Sequence, residues 1–222
     1  MFLLLRLQGP LQSYGLRASY DQRFTESMPT KSAVIGMLAA ALGIERADRA
    51  SLAELSAMRM LCLCVKEGTQ FVDYHTVGAG HVDKRKQLVD ADGNIWKSNG
   101  EVSSAVTRRQ YLVGYRFIVV LEGSNELVNR CERALHDPVH GVFLGRKCCV
   151  PSLPIFLAVH KDKASVKEAL SAVLDQGQTL ETCRAIVEVE VGGQLENDVP
   201  VDFEAREFAA RRISQDVTEF FV

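Results

Sequence analysis

The chain has 222 residues, 47% of them hydrophobic and 24% charged, with a formal net charge of -2. That length and balance fit one large globular domain, or a main domain with an appendage, and exclude fibrous, low-complexity and disordered classes. The near-neutral total does not exclude a grip on a polyanion, which needs a local basic surface rather than a basic sum.

The six cysteines, Cys62, Cys64, Cys131, Cys148, Cys149 and Cys183, lack CxxC spacing and have no paired His or Cys cluster beside them. Reduced thiols, no metal centre and no cofactor are therefore expected. The apolar run at residues 2–5 has no basic region before it and no small-residue cleavage site after it, so it is not a secretion signal. No stretch approaches the roughly 18 unbroken apolar residues of a membrane span, and a cytoplasmic chain is the expectation.

Residues 2–7 read as a buried strand that Gly9-Pro10 closes. Val34, Ile35, Met37, Leu38, Ala41 and Leu42 recur at helical spacing over Lys31–Leu42, with Thr30 as amino-terminal cap and Gly43 as left-handed stop. A short helix over 51–57 leads into a strand over 58–66, and a strand over 70–74 is expected to pair with it. Residues 78–106 change character: Gly78, Gly80, Gly93 and Gly100, the run Asp83-Lys84-Arg85-Lys86 and the turn Asp92-Gly93-Asn94 mark an insertion outside the core.

Alternation over 108–122 predicts the strongest strand of the chain. Ser124 or Asn125 caps a helix over 126–136, which Asp137-Pro138 ends. A glycine loop at 143–147, a strand over 151–159, a helix over 163–174 and a strand over 184–191 follow, and the tail carries no clear pattern. This order of strand, helix, strand, insertion, strand, helix, strand is compatible with an α+β fold of the split βαβ, ferredoxin-like type.

Three segments could meet a polyanion. In the insertion, Lys84, Arg85 and Lys86 stand near Trp96 and Lys97, and its far end runs into Thr107-Arg108-Arg109-Gln110-Tyr111. Cations neutralise phosphate while rings and guanidinium planes stack on unpaired bases. Composition alone is met at least as well by a solvated hairpin tip. The second segment is Phe143-Leu144-Gly145-Arg146-Lys147, where glycine allows close backbone approach beside two cations; a plain basic turn has the same composition. The third is the loop Gln8-Gly9-Pro10-Leu11-Gln12-Ser13-Tyr14-Gly15, which could do the same work with amides and a stacking ring or be merely a strand end. For catalysis, Asp73-Tyr74-His75-Thr76 offers a base, a phenol and a hydroxyl, yet one His makes no site. Neither GxxxxGK[ST] nor GxGxxG occurs, which lowers nucleotide-dependent chemistry.

Taken in order, five stretches resemble the CasD family, the fifth-family CRISPR-associated subunit of the Cascade complex of type I-E systems. They are Leu5-Arg6-Leu7-Gln8-Gly9-Pro10-Leu11-Gln12-Ser13-Tyr14-Gly15, Pro29-Thr30-Lys31-Ser32 with the helix through Gly43-Ile44, Asp73-Tyr74-His75-Thr76-Val77, Arg109-Gln110-Tyr111-Leu112 and Leu144-Gly145-Arg146-Lys147-Cys148. The resemblance implies a modified ferredoxin-like (RRM-like, RAMP) palm made of residues 1–77 and 107–222, with a long inserted hairpin thumb at 78–106. It also implies a subunit that caps the 5′ handle of the CRISPR RNA, contacts the Cascade backbone and large subunits, and meets target DNA only through the complex, base pairing supplying sequence specificity. RNA contact is carried over to Gln12, Ser13, Tyr14, Thr30, Lys31, Ser32, Tyr74, His75, Arg108, Arg109, Arg146 and Lys147, with Lys84, Arg85 and Lys86 as thumb contacts and no catalytic residue. Type I-C relatives instead cut precursor RNA without metal, using a tyrosine, a lysine and a histidine. Tyr74, His75 and Lys84 could imitate that set. A pure protein adaptor, its cations merely solvated, is the third alternative.

Overall fold

In the computed structural model, which describes residues 1–15, 18–19, 21–78, 97–98, 101–102 and 104–222, the first strand β1 (Phe2–Gln8) lies inside the main sheet, second from one edge. Short strands β2 (Leu11–Gln12), β3 (Ala18–Ser19) and β4 (Gln22–Arg23) follow. Helix α1 (Lys31–Leu42) starts where the Thr30 side chain accepts from the Ala33 amide and stops at Gly43, whose φ is 72°. Helix α2 (Arg49–Ser56), capped by Asp48, leads into β5 (Arg59–Lys66). Then come β6 (Thr69–Gly78), β7 (Lys97–Ser98), β8 (Glu101–Val102), β9 (Ser104–Val113) and β10 (Arg116–Glu122). Helix α3 (Asn125–His136), capped by Ser124, β11 (Phe156–His160), α4 (Lys163–Ala172), β12 (Arg184–Val189), β13 (Gln194–Asp202), β14 (Glu207–Ser214) and α5 (Thr218–Phe221) complete the chain.

The main sheet has seven antiparallel strands in the order β11-β1-β10-β5-β12-β14-β13. Both of its faces are covered, which is why its central strands read as unbroken apolar runs rather than alternations. On one face Leu3, Leu5, Leu7, Met60, Cys62, Phe117 and Val119 pack against α1, α2 and α3. On the other Phe2, Leu4, Leu61, Leu63, Ile118 and Val120 pack against Val166 and Leu170 of α4, with Leu180, Val217 and Phe220.

Two sequence expectations are corrected. The strand expected over 70–74 does not pair with that over 58–66, because both edges of β5 are taken by β10 and β12. It begins at Thr69 and pairs along its whole length with β9, from Thr69 opposite Val113 to Gly78 opposite Ser104. Gly68 makes the departure possible, since a Cβ there would stand 2.1 Å from the Val113 carbonyl oxygen. The single strand expected over 108–122 is two strands in two sheets. Gly114, with a φ of 75°, breaks it, leaving β9 in a second sheet with β2, β4, β3 and β6 while β10 enters the main one. The unpatterned tail forms the β13–β14 hairpin at the sheet edge, where Pro200 is tolerated because one side of an edge strand needs no donor.

Candidate nucleic-acid interface

The β6–β9 hairpin arms set the geometry. Antiparallel partners share a face and neighbours along a strand point to opposite faces. Arg108, opposite Tyr74, therefore stands on one face, and Arg109, opposite Asp73, on the other with Thr107 and His75. Arg108 is exposed, its guanidinium 5.8 Å from the centre of the exposed Tyr74 ring. On the opposite face Arg109 Nε donates to Thr107 Oγ1 at 3.1 Å, and His75 Nδ1 lies 3.5 Å from Asp73. Tyr74 and His75, adjacent in sequence, thus face away from each other.

On the Arg109 face the 143–149 turn closes over the base of the hairpin. Gly145, with a φ of 94°, presses so close to Ser13 that a Cβ would lie 1.7 Å from the Ser13 carbonyl oxygen, and the Ser13 amide donates to the Leu144 carbonyl. Arg146 donates to the Gln110 carbonyl at 2.9 Å and to the Arg23 carbonyl at 2.9 Å, with its guanidinium 4.7 Å from the centre of the Tyr111 ring. One side chain so ties β4, β9 and the turn together. Arg23, exposed, pairs in register with Arg109 across the parallel β4–β9 ladder, and Lys147 is exposed beside the turn. Arg23, Arg109, Arg146 and Lys147 form one basic strip. The Tyr111 hydroxyl lies 3.6 Å from Cys148 Sγ, and burial, then the thiol, raises the phenol above its ordinary value.

Other residues carried over for RNA contact are placed inside the protein. Gln12, Ser13 and Tyr14 are buried: the Tyr14 hydroxyl donates to Gln12 Oε1 at 2.6 Å, and Gln12 Nε2 donates to the Tyr115 carbonyl at 2.8 Å. Burial drives the Tyr14 phenol well above its usual range. Thr30, Lys31 and Ser32 are also buried. The Lys31 ammonium, 1% exposed, donates to both carboxylate oxygens of Glu188, at 2.8 and 2.6 Å, and its amide donates to Asp198. Arg211 closes the set with Nε and Nη2 on Asp198 at 2.6 and 2.8 Å. Desolvation lowers the Lys31 ammonium, and Glu188 opposes it. These six residues are buried, and their polar groups are held in internal hydrogen bonds. Sequence reasoning missed Arg23, Glu188, Asp198 and Arg211, whose partners lie in distant segments. Lys84, Arg85 and Lys86 lie outside the described residues.

Among the described residues no cluster of three or more metal-ligating side chains occurs, and no helix is long and apolar enough to cross a membrane. A family model described as CRISPR-associated protein (Cas_Cas5) matches residues 2–214. The CRISPR system Cascade subunit CasD of Escherichia coli strain K12 is 33% identical over 168 residues, 70% of this chain and 70% of that protein. A solved crystal structure of a Cas protein is 35% identical, with a TM-score of 0.70 over 96% of this chain and 93% of its own. A chain of a CRISPR RNA-guided surveillance complex is 28% identical, with a TM-score of 0.78 over 99% of this chain and 92% of its own. By a model match that runs through nearly every element of both sheets, this chain belongs to the CRISPR-associated protein (Cas_Cas5) family.

Proposed function

We propose that this chain is a non-catalytic, CRISPR RNA-binding subunit of a Cascade surveillance complex, capping the 5′ handle of the guide and touching the backbone and large subunits, with target DNA met only through the complex. The observation that carries the reading is the strip Arg23, Arg109, Arg146 and Lys147, assembled from three segments in a chain of this family. Its cations, Arg146 among them held on two backbone carbonyls, suit phosphate, and the Arg108–Tyr74 pair on the other face suits base stacking. A cytoplasmic ribonucleoprotein is the setting, consistent with free thiols.

In this reading residues 1–77 and 107–222 are a modified ferredoxin-like palm. What supports it is the order β11-β1-β10-β5 with helices between β1 and β5 and between β10 and β11, the split βαβ arrangement. The thumb is then the insertion at 78–106, most of which lies outside the described residues, with Lys84, Arg85 and Lys86 as its contacts.

The test is RNA binding by Arg109→Ala/Lys147→Ala. Affinity should fall, and the dependence of log K on log salt should flatten by about 0.7 for each single-strand phosphate no longer neutralised. Unchanged affinity and slope would leave the adaptor reading in its place. Cleavage of repeat RNA in chelator, abolished by His75→Ala, would establish the nuclease instead. The opposed directions of Tyr74 and His75 weigh against that outcome.

A further inference from the structure

The second face of the main sheet is sealed by α4 and the carboxyl-terminal segment over most of its length, but it turns polar toward the hairpin. Along β1, Phe2 and Leu4 give way to Arg6 and Gln8; along β10, Val120 and Ile118 give way to Arg116. The ladder sets Arg6 opposite Ile118 and Gln8 opposite Arg116. Both guanidinium groups therefore rise from the same face, on a diagonal of about 7–8 Å between strands. The Nε of each is buried and has no hydrogen-bond partner among the described residues. Buried donors are almost always satisfied, so two orphans side by side point to an acceptor held between them. Next to Arg116 is a cavity of about 270 Å³ lined by Gln8, Gly9, Pro10, Lys66, Gly114, Tyr115, Arg116 and Ser152; Arg6 is not in its lining but stands two residues from Gln8 along β1. Arg116 has one carboxylate partner, Asp175 at 2.8 Å; Arg6 and Lys66 have none among the described residues. Three cations against one carboxylate leave the site electropositive.

We propose that this open end of the second face, formed by Arg6, Gln8, Lys66 and Arg116, is a phosphate-binding site. A carboxylate, planar with two oxygens, suits one guanidinium fork, whereas a tetrahedral phosphate presents oxygens to two forks and an ammonium together. The phosphate belongs either to the guide RNA backbone, which rests on the reading above, or to a free anion. This site stands apart from the Arg109 strip, so the two can fail separately.

The experiment measures inorganic phosphate binding to the purified chain by thermal shift and calorimetry, at ionic strength matched with chloride. It compares wild type with Arg6→Gln and with Lys66→Gln, the latter an exposed position that leaves the fold alone. Phosphate should stabilise wild type, and either variant should weaken its binding by about tenfold, as expected when one charge-assisted hydrogen bond is removed. The RNA salt slope of the same variants names the source: a drop of about 0.7 assigns an RNA phosphate, and an unchanged slope with weakened phosphate binding assigns a free anion. Wild type responding to phosphate no more than to chloride, or both variants responding like wild type, overturns the site. Loss of RNA binding in Arg109→Ala/Lys147→Ala with a normal phosphate response leaves it standing.

Discussion

Arg146 donates to two carbonyls and covers the Tyr111 ring, so its removal costs position as well as charge. Arg146→Lys keeps the charge but cannot span both carbonyls. Denaturant unfolding should show a loss of about 1–2 kcal/mol, with RNA affinity falling alongside it; unchanged stability would mean that the two carbonyl bonds are dispensable. Thiol chemistry should single out one residue. Burial pushes Cys64 and Cys149 up to about 12 and Cys131 up to about 11, and raises Cys62 and Cys183, whereas Cys148 is exposed beside Lys147. The thiolate is the reactive form, so maleimide at neutral pH should label the native chain once, at Cys148, and the bulky adduct should obstruct RNA binding. Mass spectrometry of digested peptides reads both the stoichiometry and the position. In the buried ionic set, Asp198→Ala takes from Arg211, 4% exposed, its two short bonds, leaving Glu188 at 3.5 Å, and strands the Lys31 amide. Unfolding free energy should drop by about 3–5 kcal/mol, the range for breaking one partner out of a buried pair.

Elements begin and end where particular side chains satisfy their free amides. Ser124 accepts from the Leu127 amide at the start of α3, and Ser124→Ala should destabilise by about 1 kcal/mol, read as a lower denaturant midpoint with the slope unchanged. Asp48 and Asp162 cap α2 and α4, and hydrogen bonds from Ser51 and Ser165 hold both carboxyls below their ordinary 3.8. Glu67, bonded to Arg184, is held below 4.5. Folded values lower than unfolded ones mean that this stabilisation is complete above about pH 5 and is lost as pH falls through the depressed folded values. Tm should therefore fall steeply below about pH 4, and Asp162→Asn, which caps without titrating, should flatten part of that decline. The helices and central strands were legible in the sequence because their causes are local: Thr30, Ser124 and Gly43 mark ends, and unbroken apolar runs mark strands buried on both faces. The partner of β6 was not legible, since pairing with β5 or with β9 depends on which edges the rest of the chain leaves open. The break at Gly114 was hidden because β9 and β10 share one apolar register on either side of it. The β13–β14 hairpin carries Pro200 and polar residues that only an edge position explains.

Over the whole molecule the basic strip was half legible. Arg109, Arg146 and Lys147 stood out as cations beside aromatics or glycine, but Arg23 joins them through the parallel β4–β9 ladder and the bond from Arg146 to its carbonyl, and nothing near Arg23 in the chain announces it. Gln12, Tyr14 and Lys31 stood out equally and proved to be internal, because a family-like motif does not distinguish a residue that touches a ligand from one that shapes its support. The ionic set around Lys31 has a further consequence, for the time order of folding. Lys31 meets its carboxylates only when residues 188 and 198 exist, and Asp198 is held in turn by Arg211. Strand β1 likewise waits for β11, and β5 for β12. Until Arg211 has been made, Asp198 at the start of α1 lacks the guanidinium that compensates it. A stalled chain lacking the β13–β14 hairpin should therefore stay open to protease along its first half.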